Sequence, residues 1–320
     1  MVQNVIAMIY DCDLTLSPHY MQDPLFKRFN VDPPEFWEEK SKWAHALESE
    51  QGIRVQHDTI YLEYLIEQTK PGKPFAGLTR AVLREEGANI KFFPGIPDFF
   101  KSIKDFVESD PEYTRYGITV EHYVATTGLS EMLRGSAIAP HVTKMEACEF
   151  RYDENGVPNG VVFHMTHTQK TGVLFDINKG TYNNGEIDIN SSIPESKRRV
   201  PFRNMMYFGD GPSDVPCMSV LKKNGGAKKD GGFTFAVFNA NPTNPNYVKD
   251  PAVNAMKLFQ QERVDFVAAA DYQKGSNLYQ LTQSGLRIIA NRIVREIEED
   301  LRGSIRAPPG HKEARPGHKE

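Results

Sequence analysis

The pattern of hydrophobic and polar positions divides the chain into alternating strands and helices. Residues 5–10, VIAMIY, form an apolar run with no alternation, which is typical of a strand covered on both faces of a parallel sheet. Later strand candidates are ITVEHYVATTG, NMMYFGDG, FTFAVFN and VDFVAAADY, and segments such as DFFKSIKDFV and QKTGVLFDIN between them have helical spacing. This order predicts an α/β fold with a doubly wound, mainly parallel, Rossmann-like sheet.

A helical block interrupts this alternation after the first strand. Residues 17–92 contain helical segments such as PEFWEEKSKWAHALESE and few strand signals, so we interpret them as an inserted helical cap. The catalytic core is then predicted to comprise residues 1–16 and 93–304. Asn155-Gly156 predicts a tight two-residue turn in a small β-hairpin. Residues 305–320 contain PGHKE twice and are predicted to be a disordered tail.

Composition excludes several classes of protein. The 320 residues are 39% hydrophobic and 25% charged, with a net charge of −4, which does not indicate nucleic-acid or membrane-surface binding. No apolar run approaches the roughly 20 residues of a membrane helix. The three widely spaced cysteines form no CxxC motif and favour free thiols in a reducing, cytoplasmic compartment. The oligomeric state is not predicted.

Polar side chains follow three of the apolar runs. Asp11 and Asp13 follow the first, Thr126 the second, and Asp210 and Asp214 the third, within GDGPSD. In an open parallel sheet, the carboxyl ends of the strands share one edge, where ligands bind. We therefore expect these groups to converge on one site.

Four carboxylates in one small site require compensation. At ~4 Å and an effective dielectric near 20, each like-charge pair costs about 4 kcal/mol. Either some of the acids are protonated or a cation lies among them. Hard oxygen ligands without a nearby Cys or His pair favour Mg²⁺. The candidate metal-binding residues are Asp11, Asp13, Asp210 and Asp214.

The motifs DCDLT, VATTG, a lysine and GDGPSD, in this order, resemble those of the haloacid dehalogenase superfamily, in particular its phosphoserine-phosphatase-like phosphatase branch. The resemblance covers residues 4–16 and about 93–300. It implies a Mg²⁺-dependent phosphatase in which Asp11 is the nucleophile that forms an aspartyl-phosphate. Asp13 would protonate the leaving oxygen and then deprotonate water. Because a carbon–halogen bond needs no such proton, Asp13 favours a phosphate ester as substrate.

The resemblance also implies residues that bind phosphate. Thr126 would hydrogen-bond the phosphoryl group, together with Thr127 and Gly128, although a threonine here is also expected as a cap of the following helix. Lys170 would neutralise the phosphate, and Lys197, in a basic run, is the alternative.

In the fourth motif, the resemblance implies that Asp210 binds the metal. Asp214 would hold a metal-bound water or position the lysine, and it is also a candidate N-cap of the next helix.

The substrate is less well defined by the sequence than the reaction. A capped site favours a small phosphorylated substrate over a phosphoprotein. Plausible lining residues are Trp37, Trp43, Arg54, His57 and Tyr61, although aromatic residues at helical spacing are more often core. Two alternative functions are a phosphotransferase of the same superfamily that uses an alcohol acceptor, and a non-catalytic phosphoryl-ligand or protein-binding module.

Overall fold

The computed structural model describes residues 3–226, 230–242 and 250–306, with side chains described as far as residue 303. Its centre is a seven-stranded sheet in the order β4-β3-β2-β1-β5-β6-β7. The strands are β1 (Val5–Tyr10), β2 (Thr119–Leu129), β3 (Lys144–Tyr152), β4 (Pro158–Phe163), β5 (Met205–Gly209), β6 (Phe233–Phe238) and β7 (Phe266–Ala269). All neighbouring strands are parallel except β3 and β4. The predicted mainly parallel α/β sheet is thus confirmed.

Eleven helices are described in addition to the strands. They are α1 (Asp23–Phe29), α2 (Pro33–Gln51), α3 (Ile60–Glu67), α4 (Arg80–Gly87), α5 (Asp98–Glu108), α6 (Pro111–Arg115), α7 (Ser130–Gly135), α8 (Gln169–Lys179), α9 (Val215–Asn224), α10 (Pro251–Gln260) and α11 (Asn277–Arg306). None of those described is long and apolar enough to cross a membrane. Helix α11 continues two residues into the segment predicted as a tail, and the rest of that segment lies outside the described residues.

Stacked aromatic rings stabilise one half of the sheet. Tyr10, Phe208, Phe235 and Phe266 lie on four successive strands, with ring centroids 4.9, 4.4 and 4.9 Å apart. Such contacts between neighbouring strands add to the burial of apolar surface. Asp11 and Asp210, which directly follow β1 and β5, are therefore attached to strands whose side chains are well packed.

The hairpin between β3 and β4 has a longer turn than predicted. Backbone pairing ends where the Asp153 N–H donates to the Val157 carbonyl at 2.9 Å. The Asp153 carboxylate also accepts hydrogen bonds from the N–H groups of Asn155 and Val157. The two-residue Asn155-Gly156 turn was therefore the wrong assignment, because the Asp153 side chain organises a turn that spans residues 153–157.

Helices α1 to α4 all lie within residues 17–92, and α4 packs closely on α7 of the core. A Cβ atom on Gly87 would lie 2.0 Å from the Met132 carbonyl oxygen, and one on Gly135 would lie 1.9 Å from the Arg84 carbonyl oxygen. Two glycines thus allow the helix backbones to approach each other from both sides. Helix α4 is therefore held against α7 at this point.

A buried acid strengthens the same contact. Glu131 on α7 is 3% exposed, and its carboxylate pairs with Arg84 at 2.7 Å and with Arg80 at 3.2 Å, both on α4. It also pairs with Arg134, one turn further along α7, at 3.0 Å. A buried carboxylate is tolerated when it is paired in this way.

We expect Gly135→Ala to lower the free energy of unfolding by about 1–3 kcal/mol, because the added methyl group would overlap the Arg84 carbonyl. Gly303→Ala is the matched control, since Gly303 is also helical but has open space around its Cα. The control should be neutral or more stable by about 0.5–1 kcal/mol. Urea unfolding of both variants measures the difference, and equal stabilities would contradict the close packing of α4 on α7.

Candidate active site

The carboxyl ends of β1, β2 and β5 bring the sequence motifs together. Tyr10 of β1 pairs with Val124 of β2 and with Phe208 of β5. Asp11 directly follows Tyr10, Thr126 comes two residues after Val124, and Asp210 comes two residues after Phe208. The expected convergence at one sheet edge is therefore observed.

A tight turn carries the two acids of the first motif. The Asp11 N–H donates to the Phe208 carbonyl at 2.9 Å, which extends the pairing of β1 by one residue. The Cys12 carbonyl then accepts from the N–H groups of Leu16 and Ser17 at 2.8 and 3.0 Å. Leu14 has a φ of +61° in this turn. For a leucine this conformation costs of order 1–3 kcal/mol, so the surrounding contacts hold the turn in place.

A buried lysine lies between two carboxylates. Lys170, near the start of α8, is 1% exposed, and its Nζ lies 3.0 Å from Asp11 Oδ1 and 2.9 Å from Asp214 Oδ1. Burial by itself would lower the pKa of Lys170, but the two carboxylates raise it overall. The lysine is therefore held in its charged form next to Asp11.

Lys197, the alternative lysine, lies elsewhere. It belongs to a short 3-10 turn, residues 195–197. The Gln3 side chain donates a hydrogen bond to the Glu195 carbonyl in this turn. Gln3 precedes β1, so this turn lies at the opposite edge of the sheet from Asp11. Of the two candidate lysines, the structure brings only Lys170 to the acids.

Asp214 is held by three groups. Its Oδ1 accepts from Lys170 and from the Tyr207 hydroxyl at 2.8 Å, and its Oδ2 lies 3.5 Å from the Gly211 N–H. A Cβ atom on Gly209 would lie 2.3 Å from Asp214 Oδ2, so glycine is needed there for the carboxylate to approach. The side chain makes no cap bond to α9. Asp214 therefore positions Lys170 rather than capping the helix.

Three of the four candidate metal ligands form a group. Among the described residues, Asp11, Asp210 and Asp214 each place one carboxylate oxygen within 4.8 Å of the others. The Asp13 side chain is not in this group, and its Oδ1 accepts a hydrogen bond from the Met21 N–H at 2.9 Å. The donors are carboxylate oxygens alone, which suits Mg²⁺ better than zinc.

The crowding of carboxylates changes their protonation. Burial, opposed by Lys170 and reinforced by Asp214, raises the pKa of Asp11 to about 6. Burial and the nearby Asp11 charge raise the pKa of Asp13 to about 8. The pKa of Asp210 is well above its ordinary value, because the group is removed from water and faces Asp214 and Asp11. These raised pKa values indicate that it is unfavourable to ionise all of these acids beside one lysine, and a divalent cation would offset that cost.

The threonine segment of the second motif lies within β2, at an irregular stretch. The register between β2 and β3 shifts between Ala125 and Leu129. The buried Thr126 accepts a hydrogen bond from the Gly128 N–H at 3.2 Å, and the Thr127 carbonyl accepts from the Tyr61 hydroxyl at 2.9 Å. No side chain caps α7 at its N-cap residue, Leu129, so the expected capping role of a threonine is not observed.

Two residues of the site were missed by sequence reasoning. Tyr207 was interpreted only as part of a buried strand. Its hydroxyl, three residues before Asp210, was nevertheless a signal, because a buried hydroxyl needs a hydrogen-bond partner. Met21 packs on the threonine segment, where a Cβ on Gly128 would lie 2.3 Å from its sulfur. Its sequence context in HYMQD gives no such signal. Of the proposed lining residues, Arg54 and His57 are exposed and Tyr61 is buried.

The motifs that resemble those of the haloacid dehalogenase superfamily lie together at one sheet edge, as expected from that resemblance. The chain belongs to one family with an uncharacterized protein of Borreliella burgdorferi, to which it is 33% identical over 291 residues, covering 87% of this chain and 95% of that protein. No family model matches the sequence.

Several solved structures are similar in fold at low sequence identity. A phosphoserine phosphatase with an analogue of its phospho-aspartyl intermediate is 13% identical, with a TM-score of 0.49 over 88% of this chain and 99% of that one. A HAD family hydrolase from Salmonella enterica serovar Typhi is 13% identical, with a TM-score of 0.48 over 73% of this chain and 62% of that one, which is less than two thirds of its length. An L-2-haloacid dehalogenase is 12% identical, with a TM-score of 0.44 over 88% and 98% of the two chains. These identities and TM-scores concern the overall fold and give no information about the substrate of this protein.

Proposed function

We propose that the protein is a Mg²⁺-dependent phosphatase that hydrolyses a small phosphomonoester through an aspartyl-phosphate on Asp11. The observation that carries this proposal is the contact of Asp11 with Lys170 at 3.0 Å, beside a second acid two residues away. A phosphoryl-binding module would need the lysine, but it would not need both a nucleophile and a proton carrier.

In the first step, a carboxylate oxygen of Asp11 attacks phosphorus, and the bond between phosphorus and the leaving oxygen breaks. Asp13, whose pKa is raised by burial and by the Asp11 charge, gives its proton to that oxygen. In the second step, Asp13 accepts a proton from water as the water oxygen attacks phosphorus. Asp11 is regenerated and inorganic phosphate leaves.

The remaining residues bind the phosphoryl group. Lys170 neutralises it as a point charge, and Asp214 and Tyr207 hold the lysine. Thr126 Oγ1 accepts from the Gly128 N–H, which leaves its own O–H to donate to a phosphoryl oxygen. Asp11 and Asp210 would hold Mg²⁺, which would supply positive charge that stabilises the transferring phosphoryl group.

A screen of small phosphomonoesters, with Mg²⁺ and with chelator, tests the proposal. We expect phosphate release that chelator abolishes and added Mg²⁺ restores, because the excess negative charge of the site otherwise opposes phosphate binding. Asp210→Asn should weaken Mg²⁺ binding measured by calorimetry. Equal turnover in chelator would contradict the metal role. Faster product formation with added alcohol, with phosphate transferred to it, would instead identify a phosphotransferase.

A further inference from the structure

Both histidines of the HMTHT segment, residues 164–168, contact the helical insertion. His164 Nδ1 forms a hydrogen bond with the Thr59 hydroxyl at 3.2 Å. The His167 N–H donates to Asp58 Oδ2 at 3.0 Å, and Nδ1 of the His167 ring lies 3.7 Å from the same oxygen. Asp58 and Thr59 directly precede α3. The start of α3 therefore holds the segment that leads from β4 to α8.

A single peptide group connects Asp58 to the backbone of Lys170. This group joins Thr166 and His167, and its N–H is the one that donates to Asp58. Its carbonyl, which belongs to Thr166, accepts from the Lys170 N–H at 3.1 Å. The Thr166 hydroxyl also accepts from the Gln169 N–H at 3.2 Å, so Thr166 holds the first turn of α8 through both of its oxygens. A displacement of this peptide group would therefore displace the backbone that carries the lysine.

Asp58 is well suited to hold this peptide group in one place. Its side chain is 9% exposed, and its Oδ1 accepts a hydrogen bond from the Gln56 side-chain amide. Burial by itself would raise the pKa of Asp58, but the hydrogen bonds from His167 and Gln56 lower it overall. The carboxylate is therefore ionised at neutral pH, and hydrogen bonds to an ionised acceptor are stronger than those between neutral groups.

The Lys170 ammonium group has to satisfy several contacts at once. Its Nζ lies 3.0 Å from Asp11 and 2.9 Å from Asp214, and in the proposed reaction it also contacts the phosphoryl group. Because the four-carbon stem of a lysine is flexible, contacts at its end do not by themselves fix the backbone. A shift of that backbone would change the direction from which the ammonium group reaches the phosphate. The hydrogen bond to Asp58 restrains the backbone from the side of the insertion.

We propose that Asp58 is a positioning residue, which holds Lys170 for its contact with the phosphoryl group through the peptide between Thr166 and His167. This inference rests on the proposed phosphatase function. Asp58 would not touch the substrate, and its removal would change the reaction only through the lysine. A side chain of the insertion would thus set the geometry of a phosphate-binding group in the core.

Variants of Asp58 test the inference. We expect Asp58→Ala to lower kcat/KM for the best ester of the phosphomonoester screen by about 10- to 100-fold, because misplacing a reacting group by about 1 Å has an effect of that size. Asp58→Leu, which fills more of the same space without an acceptor, serves if the alanine variant does not fold. Asp58→Asn keeps an acceptor for the His167 N–H, so its kcat/KM should stay within about 3-fold of the wild type.

Asp32→Ala is the matched control for a loss of stability alone. Asp32 is the exposed N-cap residue of α2, in the same insertion, and its carboxylate accepts from the Glu35 N–H at 3.2 Å. Its removal should lower the melting temperature, as the removal of Asp58 should. Because Asp32 makes its cap bond within its own helix, this variant should leave kcat/KM unchanged.

A double-mutant cycle measures whether Asp58 acts through the lysine. Lys170→Met removes the charge and keeps the length of the side chain, and in this background Asp58→Ala should have almost no further effect on kcat/KM. If Lys170→Met has no measurable turnover, inhibition by inorganic phosphate takes the place of the cycle. The inhibition constant should then rise about 10-fold in Asp58→Ala and stay near the wild-type value in Asp58→Asn and Asp32→Ala.

Three results would overturn the inference. They are an unchanged kcat/KM in folded Asp58→Ala, an equal loss in Asp58→Asn or Asp32→Ala, and an undiminished effect of Asp58→Ala in the Lys170→Met background. In each of these cases the wild type still hydrolyses the ester, so the proposed function stands. If the wild type hydrolyses no ester of the screen, the proposed function itself fails, and the inference fails with it.

Discussion

Asp11→Asn should abolish phosphate release while the protein remains folded. An amide does not attack phosphorus, and the loss of a nucleophile that acts together with other groups typically costs about 10⁴-fold or more in kcat. The substituted asparagine keeps the size of the side chain and an oxygen for the Cys12 N–H, which donates to Asp11 at 2.7 Å. It also removes one of three crowded carboxylates. Steady-state release of phosphate and thermal melting measure the two effects.

A matched control separates the loss of a nucleophile from the loss of a charge. Asp110 is the half-buried N-cap residue of α6, and asparagine is an equally good cap. Asp110→Asn should therefore change neither kcat nor the melting temperature appreciably. Residual turnover of more than a few per cent in Asp11→Asn, with the protein folded, would exclude Asp11 as the nucleophile. A covalent phosphoenzyme trapped on wild type and absent from the variant would support it.

Features that depend on one segment were the ones that could be predicted from the sequence. The uninterrupted apolar run at residues 5–10 identified β1 because burial on both faces leaves no polar positions. Lys170 was placed at the start of a helix, and this helix is observed. In each case, the residues that determine the local structure are close together in the sequence.

Features that depend on two distant segments could not be predicted in this way. Gly87 on α4 closely approaches the Met132 carbonyl on α7, 45 positions further along the chain. A single glycine in a helical pattern does not indicate which residue will pack against it. The Tyr61 hydroxyl contacts Thr127 across 66 positions. An aromatic residue at helical spacing indicates burial, which is correct for Tyr61, but it does not indicate which polar atom its hydroxyl will meet.

The helical insertion also differs from a freely hinged lid because of these contacts. Its last helix, α4, is held against α7 by the two glycines and by Glu131. Its α3 helix reaches the threonine segment through Tyr61. Helix α3 therefore contributes a fixed group, the Tyr61 hydroxyl, to the threonine segment.

Asp13→Asn should slow alkyl and aryl phosphates by very different factors. An alkyl phosphate leaves as a basic alkoxide that needs the proton, whereas p-nitrophenyl phosphate leaves as a stabilised phenolate that needs it much less. General acid catalysis is typically worth ~10² to 10⁴ in rate, so the alkyl substrate should lose about that much in its first step. The aryl substrate should lose less, and phosphoenzyme should accumulate because water then lacks its base.

The structure makes this substitution a clean test of proton transfer. Asp13 Oδ1 accepts from the Met21 N–H, and asparagine keeps that acceptor, so the turn should hold its geometry. Asp13 also lies outside the group of three carboxylates that fits a metal. Asp23→Asn removes a nearby charge that raises the pKa of Asp13 without removing the proton carrier, so it should slow the alkyl ester far less than Asp13→Asn does. Single-turnover release of each leaving group measures the first step. Equal losses for the two esters in Asp13→Asn would mean that Asp13 acts through geometry or charge, and the acid–base role would have to be withdrawn.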